Sequence, residues 1–218
     1  MRLSGYLLFG VAFVAITGTA VAGTNDVRPL ESPSSVHLIG AAAGQDSVAE
    51  GAKKFVDSLG ARGINFLGNQ SMGQDAKKAE FAKLLNDTFD MNTIGRFALG
   101  TYWKSASPAQ QVEYQKLFRD MIIKVYSKRF SDYKGQQFVV KSARQENEKD
   151  SIVTSFIVPG DGPEVKVDWR VRNKGGSYKI VDIVVEGVSM SQTQRADFAS
   201  VIQRGGGDIN VLLNELRK

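Results

Sequence analysis

From Asp46 to Phe66 the apolar residues Val48, Ala52, Phe55, Val56, Leu59 and Phe66 recur every three to four positions, the spacing of one face of an amphipathic helix. Asp46 or Ser47 stands where an N-cap belongs. Gly68-Asn69-Gln70 interrupts the period, and Asp75 is placed to cap a second helix whose Phe81, Leu84, Leu85, Thr88 and Phe89 share a face. Asp90 opens a short third helix bearing Ile94, Phe97, Ala98 and Leu99. Ser107-Pro108-Ala109-Gln110 then supplies Ser at the cap, Pro at the first helical position and Gln at the third, a capping box. The helix it starts is expected to reach about Phe130. Val112, Leu117, Phe118, Met121, Ile122 and Val125 should turn inward, with Tyr114, Tyr126 and Phe130 widening the apolar face.

Beyond Lys134-Gly135 the period changes to two, which predicts a sheet. Gln137 to Arg144 and Ser151 to Val158 read as two strands joined by a charged turn. In a third, Val165, Val167, Trp169 and Val171 alternate with Lys166, Asp168, Arg170 and Arg172, so one face is buried and the other solvated. Lys174-Gly175-Gly176 turns the chain into a fourth strand, Tyr178 to Val188, apolar on both parities. Ser191 and Gln194 read as a second capping box, Gly205-Gly206-Gly207 as a helix stop, and Asp208 as the cap of a last short helix. Helices, then an antiparallel sheet of about four strands, then helices make an α+β domain.

The first 46 residues follow different rules. Arg2, the apolar run Tyr6 to Ile16 and Ala20-Val21-Ala22 have the order of a secretory signal (1–22) cleaved after Ala22. The apolar run is too short for a membrane span, which needs roughly 18 residues. Residues 23–46, with two prolines, several serines and no sustained apolar period, read as a flexible leader ahead of a domain at 47–218. Export into an oxidising compartment would permit disulfides, yet the chain has no cysteine and must rely on its core.

Composition narrows the chemistry. Zero cysteine removes thiol nucleophiles, thiolate zinc sites and iron–sulfur clusters. The single histidine, His37, falls in the leader, so no serine has a base held beside it. No spacing suits a metal, and neither Gly160-Asp161-Gly162 nor Gly205-Gly206-Gly207 has the frame of a phosphate loop. No cofactor is therefore expected. The net charge of +5, or +4 without Arg2, favours anionic lipid surfaces or acidic partners over nucleic acid. Asp182, on the fourth strand, is the one carboxylate considered as a general base; pairing with Arg170 or Arg172 is the commoner fate of such a residue. What stands out instead is aromatic and apolar surface between the long helix and the sheet, which would enclose an apolar cavity if the packing is incomplete. Periodicity places Phe97, Trp103, Ile122, Phe130, Val167, Trp169 and Val184 there.

Phe89-Asp90, Ile94-Gly95-Arg96-Phe97-Ala98-Leu99-Gly100, Tyr102-Trp103-Lys104-Ser105-Ala106-Ser107-Pro108, Arg129-Phe130, Asp182 and Glu186-Gly187-Val188-Ser189-Met190 with Gln194-Arg195 occur in an order that resembles the MlaC family. These are periplasmic phospholipid-binding proteins, also called toluene-tolerance auxiliary components of a lipid ABC transport system. The likeness covers Ser47 to Lys218; Tyr178 stands where the family often has Trp. It implies a monomeric periplasmic carrier that buries a phospholipid's acyl chains and exchanges it with two partners. One is an inner-membrane MCE-domain ABC complex, the other an outer-membrane lipoprotein–porin complex. By position it implies a pocket lined by Tyr126, Val165 and Val188. A carrier of another lipid such as a hopanoid, an enzyme using Asp182, and a structural module with a filled core are the alternatives.

Overall fold

The computed structural model describes residues 39–218, with side chains from Val48 onward. Helices α1 (Ile39–Gly68), α2 (Gln74–Thr88), α3 (Met91–Leu99), α4 (Tyr102–Ser105) and α5 (Pro108–Ser127) come first. Strands β1 (Gln137–Gln145), β2 (Asp150–Val158), β3 (Val165–Lys174), β4 (Ser177–Val185) and β5 (Val188–Ser189) follow, then α6 (Met190–Arg204) and α7 (Ile209–Leu216). The α+β class is as expected, with a fifth, two-residue strand added to the sheet. The signal segment and His37 lie outside the described residues. Residues 39–46, expected in the leader, are helical, so Asp46 and Ser47 are interior to α1 and do not cap it. Ala41-Ala42-Ala43 are the strongest helix formers and let the helix start early.

Local chemistry accounts for most boundaries. The Asp90 carboxylate accepts from the Thr93 amide at the start of α3. Ser107 and Gln110 form the reciprocal capping box of α5. Two starts differ from expectation. Gly73, not Asp75, precedes α2, and Ser189, not Ser191, caps α6, its hydroxyl accepting from the Gln192 amide. Helix α5 ends at Ser127 because the chain tightens into a 3₁₀ turn, Phe130–Asp132. That turn seats the buried Phe130 ring edge-on between Phe66 and Phe81, at 5.8 and 5.4 Å. Val112 is 74% exposed rather than inward. It lies about 200° around the helix from Tyr114, whose buried ring and hydroxyl, donated to the Gly95 carbonyl at 2.9 Å, fix the inner face.

The sheet is antiparallel in the order β1-β2-β3-β4-β5. Lys174 and Ser177 close a two-residue hairpin whose Gly175 and Gly176 both take positive φ, the left-handed turn that matches strand twist. Along β3 the predicted alternation holds: Val167, Trp169 and Val171 are buried. β4 departs from it, because Val181 is a bulge between the pairs Arg170–Asp182 and Val171–Ile180. The long fourth strand also stops at Val185, where Glu186 and Gly187 turn with positive φ and return the chain as β5.

Two buried clusters result. One joins α1, α2 and the 3₁₀ turn to the sheet through Ala52, Val56, Leu59, Phe66, Leu84, Phe130, Val153, Trp169 and Ile180. The other joins α3 to α7 through Ala98, Leu99, Tyr114, Phe118, Phe198, Ile202 and Leu212.

Candidate functional site

Between the clusters lies a cavity of about 290 Å³, at the small end of the range of ligand pockets. Its sheet wall is built by alternation. Phe138 on β1, Ile157 on β2, Val167 and Trp169 on β3, and Ile183 and Val185 on β4 line it. Trp169 is held by polar contacts behind the wall: its indole N–H donates to Ser155 Oγ at 2.8 Å, and the Ser155 hydroxyl donates to the Val167 carbonyl at 3.3 Å. Both buried polar groups are thus satisfied and leave only carbon facing the space.

The helical wall comes from three elements. Ile122 and Tyr126, one turn apart on α5, face it together, and burial pushes the Tyr126 phenol well above its ordinary pKa against the opposing charge of Arg129. Phe81, Leu84 and Leu85 contribute from α2. From α1 come Leu59, Ile64 and Leu67, with Gly60 and Gly63 between them. Phe138 packs where a side chain on Gly60 would be.

The two ends of the cavity are polar. Arg129, Tyr133, Gln136 and Gln137 line one, where Gln137 is exposed. Asp182, Ser191 and Gln194 mark the other, where Ser191 and Gln194 are buried. The Asp182 carboxylate accepts from the Ile183 and Ser191 amides at 2.9 and 3.1 Å and from the Ser189 hydroxyl at 2.6 Å. It therefore secures the start of α6. The expected cross-strand partners are engaged elsewhere, Arg170 with Glu146 and Arg172 with Asp150. Among the described residues, no group of carboxylates and histidines is assembled as a metal site, and no helix is long and apolar enough to cross a membrane.

Of the ten residues picked from the sequence, Ile122, Tyr126, Phe130, Val167 and Trp169 line the cavity. The other five lie elsewhere for identifiable reasons. Val184 sits opposite Asp168 on the solvated face, because the Val181 bulge shifts the strand's parity and gives the inner positions to Ile183 and Val185. Val165 packs against the sheet-side cluster at the end of β3. Val188, beyond the Glu186–Gly187 turn, is 51% exposed. Phe97 is 40% exposed, its ring covered by the Arg195 guanidinium at 5.2 Å. Trp103 belongs to the helical cluster, edge-on to Tyr114 at 6.5 Å. The α1 wall was missed, although two glycines a turn apart inside a helical period signal a close approach or an open space.

Comparison with known proteins adds independent findings. The chain is 24% identical over 129 residues to toluene tolerance protein ttg2D of Pseudomonas putida, covering 59% of this chain and 60% of that protein. It is 26% identical over 133 residues to the intermembrane phospholipid transport system binding protein MlaC of Haemophilus influenzae, covering 59% and 61%. The matches thus span about three fifths of each relative. A phospholipid-binding protein from Ralstonia solanacearum, solved in complex with a phospholipid, superposes with a TM-score of 0.64 at 25% identity, over 78% of this chain and 94% of its own. The model of the MlaC protein family matches residues 62–218, and with most of its length so matched the chain belongs to the MlaC family.

Proposed function

We propose that this protein is a soluble periplasmic phospholipid carrier, exported by its signal segment. On this reading it moves lipid between an inner-membrane MCE-domain ABC complex and an outer-membrane lipoprotein–porin complex. The carrying observation is a largely carbon-lined cavity between sheet and helices whose lining includes a cation, Arg129. Acyl carbon fits the walls, and the phosphate stays near Arg129 and water. The likeness to a phospholipid-bound structure over nearly its whole length supports the same reading.

The energetics suit a shuttle. One chain of about 15 methylenes gains roughly 12 kcal/mol on leaving water, which corresponds to a nanomolar dissociation constant. Loss to water is negligible. Transfer into a membrane or a partner's channel exchanges one apolar surrounding for another, so the net free energy of handing over is small, and no nucleophile or nucleotide site is needed.

Native mass spectrometry of the mature chain, residues 23–218, purified from a periplasmic extract, tests this when followed by solvent extraction of the bound material. A glycerophospholipid near one-to-one stoichiometry is expected. A protein that is lipid-free and stays so after incubation with liposomes overturns the proposal, and a hopanoid in the extract replaces the cargo.

A further inference from the structure

Resting on that reading, we infer that the surface around the 3₁₀ turn, built from Lys128, Arg129, Tyr133 and Lys134, docks directly on the headgroups of an anionic bilayer. From Tyr126 to Gln145 the chain carries Lys128, Arg129, Lys134, Lys141 and Arg144 against a single carboxylate, Asp132. Among the described residues none of these five cations forms an ion pair. On β3 of the same sheet, by contrast, Arg170, Arg172 and Lys174 are each matched to a carboxylate.

Local structure gathers these charges. Helix α5 ends at Ser127, and the negative end of its dipole favours Lys128 and Arg129 there without a carboxylate. The backbone then curls, with the Asp132 amide donating to the Arg129 carbonyl at 3.0 Å and the Lys134 amide to Gln136 Oε1 at 2.8 Å. Gly135 takes a φ of +90°, which turns the chain into β1. Lys128 and Lys134 are exposed, while Arg129 and Tyr133 are half-buried. Tyr133 reaches back to the end of α1, where a β-carbon on Gly68 would lie 3.7 Å from its Cε1. An amphipathic ring flanked by cations is the side-chain combination favoured where water meets lipid headgroups.

Continuity with the cavity selects a bilayer over an acidic protein as the occupant. Arg129 and Tyr133 belong to this surface and also line the cavity, beside Gln136 and Gln137. A bilayer seated there sets phosphates against Lys128 and Lys134 and brings its lipids next to a largely carbon-lined space. An acidic protein surface would answer the charges alone.

Co-sedimentation of the mature chain with vesicles tests this, comparing equal parts phosphatidylglycerol and phosphatidylcholine with phosphatidylcholine alone. Binding to the anionic vesicles is expected at low salt and should vanish near 1 M, where the screening length falls to about 3 Å. Each surface cation is worth roughly fivefold in such binding, so Lys128→Gln with Lys134→Gln should weaken it by roughly thirtyfold. Lys83→Gln with Lys149→Gln removes the same charge from exposed positions elsewhere and should change it little. Thermal melts of both pairs should match the wild type; if the first pair does not fold, Lys134→Gln alone should weaken binding by roughly fivefold. No preference for anionic vesicles, or equal weakening by the two pairs, overturns the docking surface and leaves the carrier reading intact. Binding that depends on Lys128 and Lys134 in a chain that never takes up lipid leaves the surface standing and overturns the carrier reading.

Discussion

The ring of Phe138 occupies the place where Gly60 has no side chain: a β-carbon on Gly60 would lie 2.1 Å from Phe138 Cδ1. The ring in turn meets Trp169 edge-on at 5.9 Å, so this helix–strand contact sets one wall of the cavity. Gly60→Ala should cost about 1–3 kcal/mol by overpacking, lowering Tm by several degrees at about 2–4 °C per kcal/mol for a chain of this size. A thermal melt followed by circular dichroism measures it.

One turn on, Gly63 has nothing within 4 Å of the missing β-carbon and borders the cavity. Gly63→Leu should therefore respond in the opposite way. Helix propensity improves by roughly 0.5–1 kcal/mol, so Tm holds or rises, while the new side chain fills part of the cavity. Co-purified lipid, quantified after extraction, should fall severalfold relative to wild type.

Asp182 distinguishes a structural carboxylate from a catalytic one. Asp182→Asn keeps an acceptor but loses the charge that three donors share, so a loss of about 1–2 kcal/mol is expected, with faster amide hydrogen exchange in the first turn of α6. Lipid content should persist. Abolished turnover of some substrate with an unchanged melt would restore the enzymatic alternative.

The buried Asp150 carboxylate takes two bonds from the Arg172 guanidinium, at 2.7 and 2.9 Å, and this pairing holds its pKa below the ordinary carboxylate value despite burial. Asp90 is also lowered: burial opposes ionisation there, but Lys174 and the Thr93 amide outweigh it. A depressed folded-state pKa contributes stability that is fully present above the unfolded value near 4 and is lost as pH falls through the folded one. Chemical denaturation between pH 7 and 2 should show stability dropping below about pH 4. Asp150→Asn should be less stable by about 1–3 kcal/mol at pH 7 and show a shallower acid decline.

Much of this architecture is legible from local signals. The Ser107–Gln110 box, the Gly175–Gly176 hairpin and the β3 alternation each depend on a few neighbouring residues, and each is where periodicity and turn chemistry put it. The candidate site is legible only where such periodicity continues unbroken, as in Val167 with Trp169 and Ile122 with Tyr126. Val184 shows why the rest was hidden: a bulge at Val181 reverses inside and outside for the remainder of the strand, and nothing in a run apolar on both parities marks where the extra residue falls. Phe97 and Trp103 show a different obstacle. Their spacing is helical, but which neighbour a helix face meets is decided by tertiary packing, here against Arg195 and Tyr114.

The cavity divides the buried apolar residues into a sheet-side group and a helix-side group. A lipid in that space touches both and supplies the contacts that an empty chain forgoes. Cargo then acts as a ligand of the native state, and an empty molecule opens more often than a loaded one. On the proposed carrier reading, molecular lifetime would then depend on occupancy: wherever proteases act on opened chains, unloaded molecules would be cleaved before loaded ones.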